Sequence, residues 1–230
     1  MYDSLQTYTG SAGTGSLAQR NRVLRNTYWL LAVSMLPTVL GAWVGVATGI
    51  ATLMSPMVSL IVFMAGAFGF MYAIEKTKES ATGVGVLLAF TFFMGLMLSR
   101  LIAAILGFQN GPSLIMTAFG GTALVFVGMA TLASVIKRDL SGMGKFLMVG
   151  ALIVLVAGIL NVFMQSSALM LTLSVLCIGL FSAFMLYDIK RVIDGGETNY
   201  IAATLAIYLD IYNVFQSLLS LLGIFGGERE

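Results

Sequence analysis

The stretch "LAIYLDIYNVFQSLL", Leu205 to Leu219, places a carboxylic acid, Asp210, in the middle of an apolar run. The run extends over about 25 residues, and about 20 residues at 1.5 Å each cross ~30 Å of hydrocarbon as a helix. An ionised side chain near the bilayer centre costs about 3 kcal/mol on insertion scales, so acids at this depth are functional candidates. The stretch therefore predicts a membrane-spanning helix with a functional acid inside it.

The rest of the chain has the same character. Of its 230 residues 59% are hydrophobic and only 10% are charged, which lies outside the range of a soluble domain. We predict an all-α integral membrane protein with a flexible amino-terminal tail at 1–26, a seven-span domain at 27–225 and a short tail at 226–230. The predicted spans are 27–49, 54–74, 82–106, 113–136, 146–164, 168–190 and 200–224.

The basic residues predict the direction of insertion. The connections at 50–53, 107–112 and 165–167 carry no charge, whereas ten of the twelve Lys and Arg residues fall on the other side of the predicted bundle. The positive-inside rule then places the amino terminus in the cytoplasm and the carboxyl terminus outside. The net charge of +2 does not indicate a nucleic-acid partner. The ten residues are Arg20, Arg22, Arg25, Lys76, Lys78, Lys137, Arg138, Lys145, Lys190 and Arg191.

Small residues recur at helical spacing in several spans. Such patterns let helix backbones approach closely in lipid, and we interpret them as packing positions within the bundle. They are Gly41, Gly45 and Gly49 in the first span, Gly66 and Gly69 in the second, and Gly120 and Gly121 in the fourth.

Besides Asp210, the residues charged at neutral pH within the predicted spans are Asp188 and Arg100, apart from Lys190 at the end of the sixth span. By helical rise Asp210 is ~15 Å from the start of its span and Asp188 is ~8 Å from the end of the preceding one. Because these two helices are antiparallel and joined by a short loop, their carboxyl groups are expected to approach. Arg100 lies ~27 Å along the third span, near the outer surface, where it either snorkels to the interface or acts as a gate.

A polar stripe continues from Asp210 along the last span. Asn213, Ser217 and Ser220 follow it at the spacing of one helical face. A stripe of this kind either packs against the interior of the bundle or lines a water-filled path. We take these three residues as candidate lining of an ion pathway.

The acidic pair has a chemistry of its own. The chain contains no histidine, so a physiological pH response has to come from carboxyl groups. Two carboxyl groups a few ångströms apart in a low dielectric cannot both ionise cheaply. Asp188 and Asp210 either share a proton and hold two helices together, or ionise, repel each other and attract a cation. Oxygen ligands suit calcium, but two carboxylates make only a weak, transient site.

A structural role for the two acids is the alternative. Each acid would then be satisfied by a Tyr, Ser or backbone donor, and Asp188 beside Lys190 and Arg191 would be an interfacial charge. No cofactor is expected in either case.

Several segments resemble the Bax inhibitor family, also called the transmembrane Bax inhibitor motif family, and its bacterial YccA-like branch in particular. They are "RVLRNTY" at 22–28, "GGTALVF" at 120–126, "DGGETNYIAATL" at 194–205 and "DIYNVFQSLLSLLG" at 210–223. The resemblance implies a seven-helix bundle in the bacterial inner membrane, with the last helix central and the other six around it. It also implies a pH-sensitive calcium leak controlled by an acidic pair, whose positions Asp188 and Asp210 match.

The same branch implies a second role, as a modulator of the membrane AAA protease FtsH that is recognised through its amino-terminal tail. The tail of this chain, 1–26, differs in composition from that branch, and the second acid departs from its pattern. A scaffold without transport is a third alternative.

Paired aspartates on neighbouring membrane helices also occur in intramembrane aspartyl proteases. Tyr187-Asp188 fits their first motif, but Asp210 follows "IYL" where those enzymes have Gly-x-Gly, and no Pro-Ala-Leu segment follows. We therefore do not expect an enzyme, and no residue is assigned as catalytic.

Overall fold

The computed structural model describes residues 6–227, including the side chains of residues 17–50 and 53–227. All regular secondary structure within residues 6–227 is α-helical. Seven of the helices are long and apolar enough to cross a membrane, and α2 is a single turn. The helices are α1 (Gln6–Thr48), α2 (Ile50–Leu53), α3 (Pro56–Thr77), α4 (Ala81–Leu106), α5 (Gly111–Val135), α6 (Met143–Met164), α7 (Ser167–Ile193) and α8 (Tyr200–Gly226).

The predicted fold class is confirmed. Each predicted span coincides with one long helix, and apart from the start of the first span the ends agree within a few residues. The breaks follow local chemistry: Ser55 caps α3 ahead of Pro56, and Ser166 caps α7 by accepting a hydrogen bond from the Leu169 N–H.

The amino-terminal segment differs from the prediction. α1 begins at Gln6, so residues 6–26, predicted as a flexible tail, are helical. The physical reason is that extending an existing membrane helix adds one hydrogen bond per residue without a new nucleus. Val23 in this extension packs with Val192 and Ala203. Residues 1–5 of the predicted amino-terminal tail, and residues 228–230 of the carboxyl-terminal one, lie outside the described residues.

α8 is the central helix of the bundle, as predicted. It contacts α1, α3, α4, α5 and α7, and it has the largest buried share of the seven spans. Among the described helices, α6 packs mainly against α7. α6 is apolar along nearly its whole length and needs no contact with the polar centre, because lipid covers such a surface equally well.

α1 and α4 approach each other closely at their glycines. A Cβ atom on Gly95 would overlap the Thr38 backbone oxygen, and one on Gly41 would overlap the Phe92 backbone oxygen. The packing interpretation is thus correct for Gly41, and also for Gly45, which faces Ser99. Gly49 has a φ of 66° and lies at the break between α1 and α2, and for this residue the packing interpretation stays a prediction.

In the second and fourth spans, the packing interpretation is correct for two of the four glycines. A Cβ atom on Gly66 would meet the Phe93 ring, and one on Gly121 would lie 3.3 Å from Leu218 Cδ1. Gly69 and Gly120 have no described atom within 4 Å of such a Cβ and face outward.

The loop between α7 and α8 is built by two residues. Gly195, with φ of 80°, occupies the left-handed region where glycine is favoured, and this ends α7. Asn199 caps α8 by accepting hydrogen bonds from the N–H groups of Ile201 and Ala202. Its Nδ2 also donates to the Lys78 backbone oxygen at 2.9 Å, which ties this loop to the loop after α3.

We expect Asn199→Ala to lower the free energy of unfolding by ~1 kcal/mol from the lost cap, and by more if the tie to Lys78 contributes. Asn199→Ser retains a capping oxygen but lacks the Nδ2 donor, so the difference between the two variants measures the tie. Thermal unfolding in detergent provides the readout. Thr198→Ala, in the same loop and exposed, is the control and should leave the transition unchanged; a loss as large as that of Asn199→Ala would contradict the assignment.

Candidate functional site

The two acids singled out by the sequence come together in the structure. Asp188 lies in the last turns of α7 and Asp210 in the middle of α8, and their carboxyl groups are within hydrogen-bonding reach of each other. The short loop between α7 and α8 makes these helices antiparallel neighbours, which brings Asp188 and Asp210 to a similar depth in the bundle. Two carboxyl groups can form a hydrogen bond only when one of them carries a proton.

Asp210 is enclosed by the bundle. Only 4% of its surface is exposed, and its Oδ2 has no hydrogen-bond donor among the described residues. A buried polar atom without a partner costs free energy that a purely structural residue would avoid by finding a donor. The structural alternative requires a Tyr, Ser or backbone group that donates a hydrogen bond to each acid. No described residue donates one to Asp210 Oδ2.

A cavity of about 400 Å³ leads to the acidic pair. It lies at the end of the bundle where α3 and α7 end and α8 begins, which carries the ten clustered basic residues and is called the basic face below. Asp188 lines this basic-face cavity, whereas Asp210 lies behind it and is not part of the lining. Leu205 and Leu209 of α8 line the apolar side of this cavity.

Charged residues that sequence reasoning did not single out line the same cavity. Lys78 contacts Glu75 at 2.6 Å, and Arg191 Nη2 lies 3.3 Å from Glu197 Oε2. The Glu75 side chain next to it raises the pKa of Lys78, so that amine stays charged. In the sequence, the charged loops "EKTKES" and "DGGETN" indicated where the helices end. They did not indicate that these charged side chains line a common cavity. The cavity mouth thus carries both signs of charge.

The polar stripe on α8 faces the interior of the bundle. Ser217 and Ser220 are buried, and the Asn213 amide donates to the Leu209 backbone oxygen at 2.7 Å. The Ser220 hydroxyl has no hydrogen-bond partner among the described residues. None of the three lines the basic-face cavity or the second cavity described next, so their role as pathway lining stays a prediction.

A second cavity of about 310 Å³ lies at the opposite face. Arg100 lines it, and Nη1 of Arg100 donates to the Met54 backbone oxygen at 3.3 Å and to Ser59 Oγ at 3.2 Å. Tyr212 and Gln216 of α8 also line it, and sequence reasoning missed both because each looked like an isolated polar residue in an apolar run. This second cavity is called the opposite-face cavity.

No group of three or more His, Cys, Asp or Glu residues within the described part of the chain is placed to hold a metal ion. The weak calcium site predicted at Asp188 and Asp210 has two carboxylates and would be of the transient kind.

The seven long apolar helices define the chain as a multi-pass helical membrane protein, with an acidic pair at one of its cavities. A model of the family described as "Inhibitor of apoptosis-promoting Bax1" matches residues 20–227. The chain belongs to this Bax inhibitor family.

Bacterial relatives match the chain over nearly its full length. It is 38% identical over 208 residues to the Escherichia coli K12 protein named "Modulator of FtsH protease YccA", covering 90% of this chain and 92% of that protein. It is 36% identical over 217 residues to a membrane protein of Vibrio cholerae, covering 94% and 96%. The predicted resemblance is confirmed, and the family and relative names describe an inhibitor and a modulator rather than an enzyme.

Proposed function

We propose that the chain is a pH-sensitive cation leak protein of a bacterial inner membrane, with its basic face in the cytoplasm and calcium as its cargo. The observation that carries the proposal is the enclosed Asp210 carboxyl group, which faces Asp188 at the inner end of the basic-face cavity. The basic residues support the orientation through the positive-inside rule.

The acidic pair provides two states of the bundle. With one proton between them, Asp188 and Asp210 hydrogen-bond and hold α7 to α8, which closes the path. With no proton, two like charges a few ångströms apart in a low dielectric repel each other and favour separation of the helices. A calcium ion arriving through the basic-face cavity meets Asp188 first, because Asp188 lines that cavity.

The barrier between the two cavities is short. Leu209 lines the basic-face cavity, and Tyr212 and Gln216 line the opposite-face cavity, so along α8 the linings are three residues apart, or ~5 Å of helical rise. The Tyr212 hydroxyl donates to the Met94 backbone oxygen at 3.2 Å and fixes this region to α4. In the proposed mechanism, separation of α7 from α8 opens this short barrier from the basic-face side, and weak ligation permits release.

Purified protein in calcium-loaded liposomes tests the proposal, with a calcium indicator outside the vesicles. We expect a slow calcium leak whose rate changes with pH. The absence of flux at every pH would contradict the proposal and favour the scaffold without transport. Glu197→Gln should reduce the flux several-fold, because Arg191 then loses its partner and is free to neutralise Asp188. Asp194→Asn is the matched control, since Asp194 lies in the same loop and pairs with Lys190 outside the cavity lining.

A second candidate function is modulation of a membrane protease. It is supported by the name of the Escherichia coli relative and by the helical extension of α1 at the basic face, where such a partner would bind. Co-purification with FtsH tests it, together with deletion of residues 2–16. That deletion should abolish co-purification and leave liposome flux unchanged, whereas Asp210→Asn should leave co-purification unchanged.

A further inference from the structure

Arg100 is a permanent charge at membrane depth, and no described residue forms an ion pair with it. It lies six residues before the end of α4, or ~9 Å from the opposite face by helical rise. Its hydrogen-bond acceptors, the Met54 backbone oxygen and Ser59 Oγ, are both neutral. Among the ion pairs of the described residues none involves Arg100. A guanidinium is always ionised, so this position favours an anionic partner from outside the chain.

The opposite-face cavity in which Arg100 lies is amphipathic. Its apolar walls are Leu60 and Phe63 of α3 and Val162 of α6, and its polar groups are Arg100 and the α8 residues Tyr212 and Gln216. The Gln216 side chain is exposed, and Val162 brings α6 to the same cavity. The cavity lies where α3 begins and α4 ends, with the Arg100 guanidinium beside Met54 and Ser59 and the apolar Leu60 and Phe63 further inward along α3.

We propose that the opposite-face cavity binds an anionic phospholipid of the adjacent leaflet, with its phosphate on Arg100 and an acyl chain along Leu60, Phe63 and Val162. The guanidinium fork matches phosphate geometry and forms charge-assisted hydrogen bonds. A small inorganic anion would use Arg100 but none of the apolar wall, and a neutral lipid would use the wall but leave the charge without a partner. The site involves neither Asp188 nor Asp210, so lipid binding can be tested without measuring flux, although the opposite-face cavity is also the exit of the proposed leak path.

Native mass spectrometry of the full chain in detergent, titrated with phosphatidylglycerol or phosphatidylcholine, tests the site. We expect phosphatidylglycerol to bind at least tenfold more tightly, and Arg100→Gln to remove that difference. Arg100→Lys should retain part of the preference, because the charge is kept and the fork is lost. Arg138→Gln is the matched control: it removes one exposed charge on the basic face and should change nothing.

A variant that leaves the charge in place separates the site from a folding defect. Val162→Trp narrows the cavity from the lipid-facing helix α6, and it should weaken phosphatidylglycerol binding several-fold. Equal binding of the two lipids by the wild type, or an unchanged preference in both Arg100→Gln and Val162→Trp, overturns the proposal. Full displacement of phosphatidylglycerol by millimolar inorganic phosphate also overturns it, in favour of a small-anion site.

Discussion

Asp210→Asn is expected to abolish the pH dependence of calcium flux in liposomes and to hold the flux at the closed level between about pH 5 and 8. Asparagine has the shape of aspartic acid and cannot ionise, but its amide donates a hydrogen bond to Asp188 at every pH. A hydrogen bond to a charged group contributes about 1.5–3 kcal/mol, which corresponds to a tenfold or larger shift towards the closed state. The calcium-indicator assay across the pH range measures both effects.

The same assay distinguishes this mechanism from a general loss of function. Asp139→Asn removes one carboxylate from the exposed loop between α5 and α6 and should leave the flux profile intact. The double variant Asp188→Asn/Asp210→Asn should add little to either single change, since the two acids act as one unit. A flux profile in Asp210→Asn that still follows pH as the wild type does would rule out the acidic pair as the sensor.

The second large effect is expected at the contact between α1 and α4. Gly95→Ala places a methyl group against the Thr38 backbone oxygen, and neither helix backbone can move aside locally. Overpacking of a tight interface typically costs 1–3 kcal/mol, so we expect a lower unfolding temperature and a smaller monodisperse fraction in detergent. Gly41→Ala should have the same effect, because its methyl group would meet the Phe92 backbone oxygen.

Gly120→Ala is the matched control for these two substitutions. Gly120 lies inside α5, where no described atom is within 4 Å of the added carbon. Alanine is the better helix former by about 1 kcal/mol, so this variant should be as stable as the wild type or more so. An equal loss of stability in all three variants would mean that the effect is one of helix composition and not of the α1–α4 contact.

The sequence allowed the membrane spans and the acidic pair to be predicted, since both depend on short-range patterns. Span limits follow from apolar runs that end at caps and breakers such as Ser55-Pro56. The approach of Asp188 to Asp210 follows from two antiparallel helices joined by a short loop. In each case the structure is determined by neighbours in the chain.

Features that depend on contacts between distant segments were not predictable in this way. Both cavities are formed where helices from three or more parts of the chain fail to fill the space between them. Tyr212 and Gln216 line the opposite-face cavity only together with residues of α3, α4 and α6. The helical start of α1 was missed because polar residues outside an apolar run gave no periodic signal, although Val23 packs against the bundle.

The central position of α8 has a consequence for biogenesis. This helix leaves the ribosome after the other six spans, and its most apolar window has a mean hydropathy of 1.4, the lowest of the seven. A nascent chain therefore holds the other membrane helices without their central partner until α8 is inserted. The least hydrophobic segment then has to insert among these helices, where it finds the partners that pure lipid does not offer it.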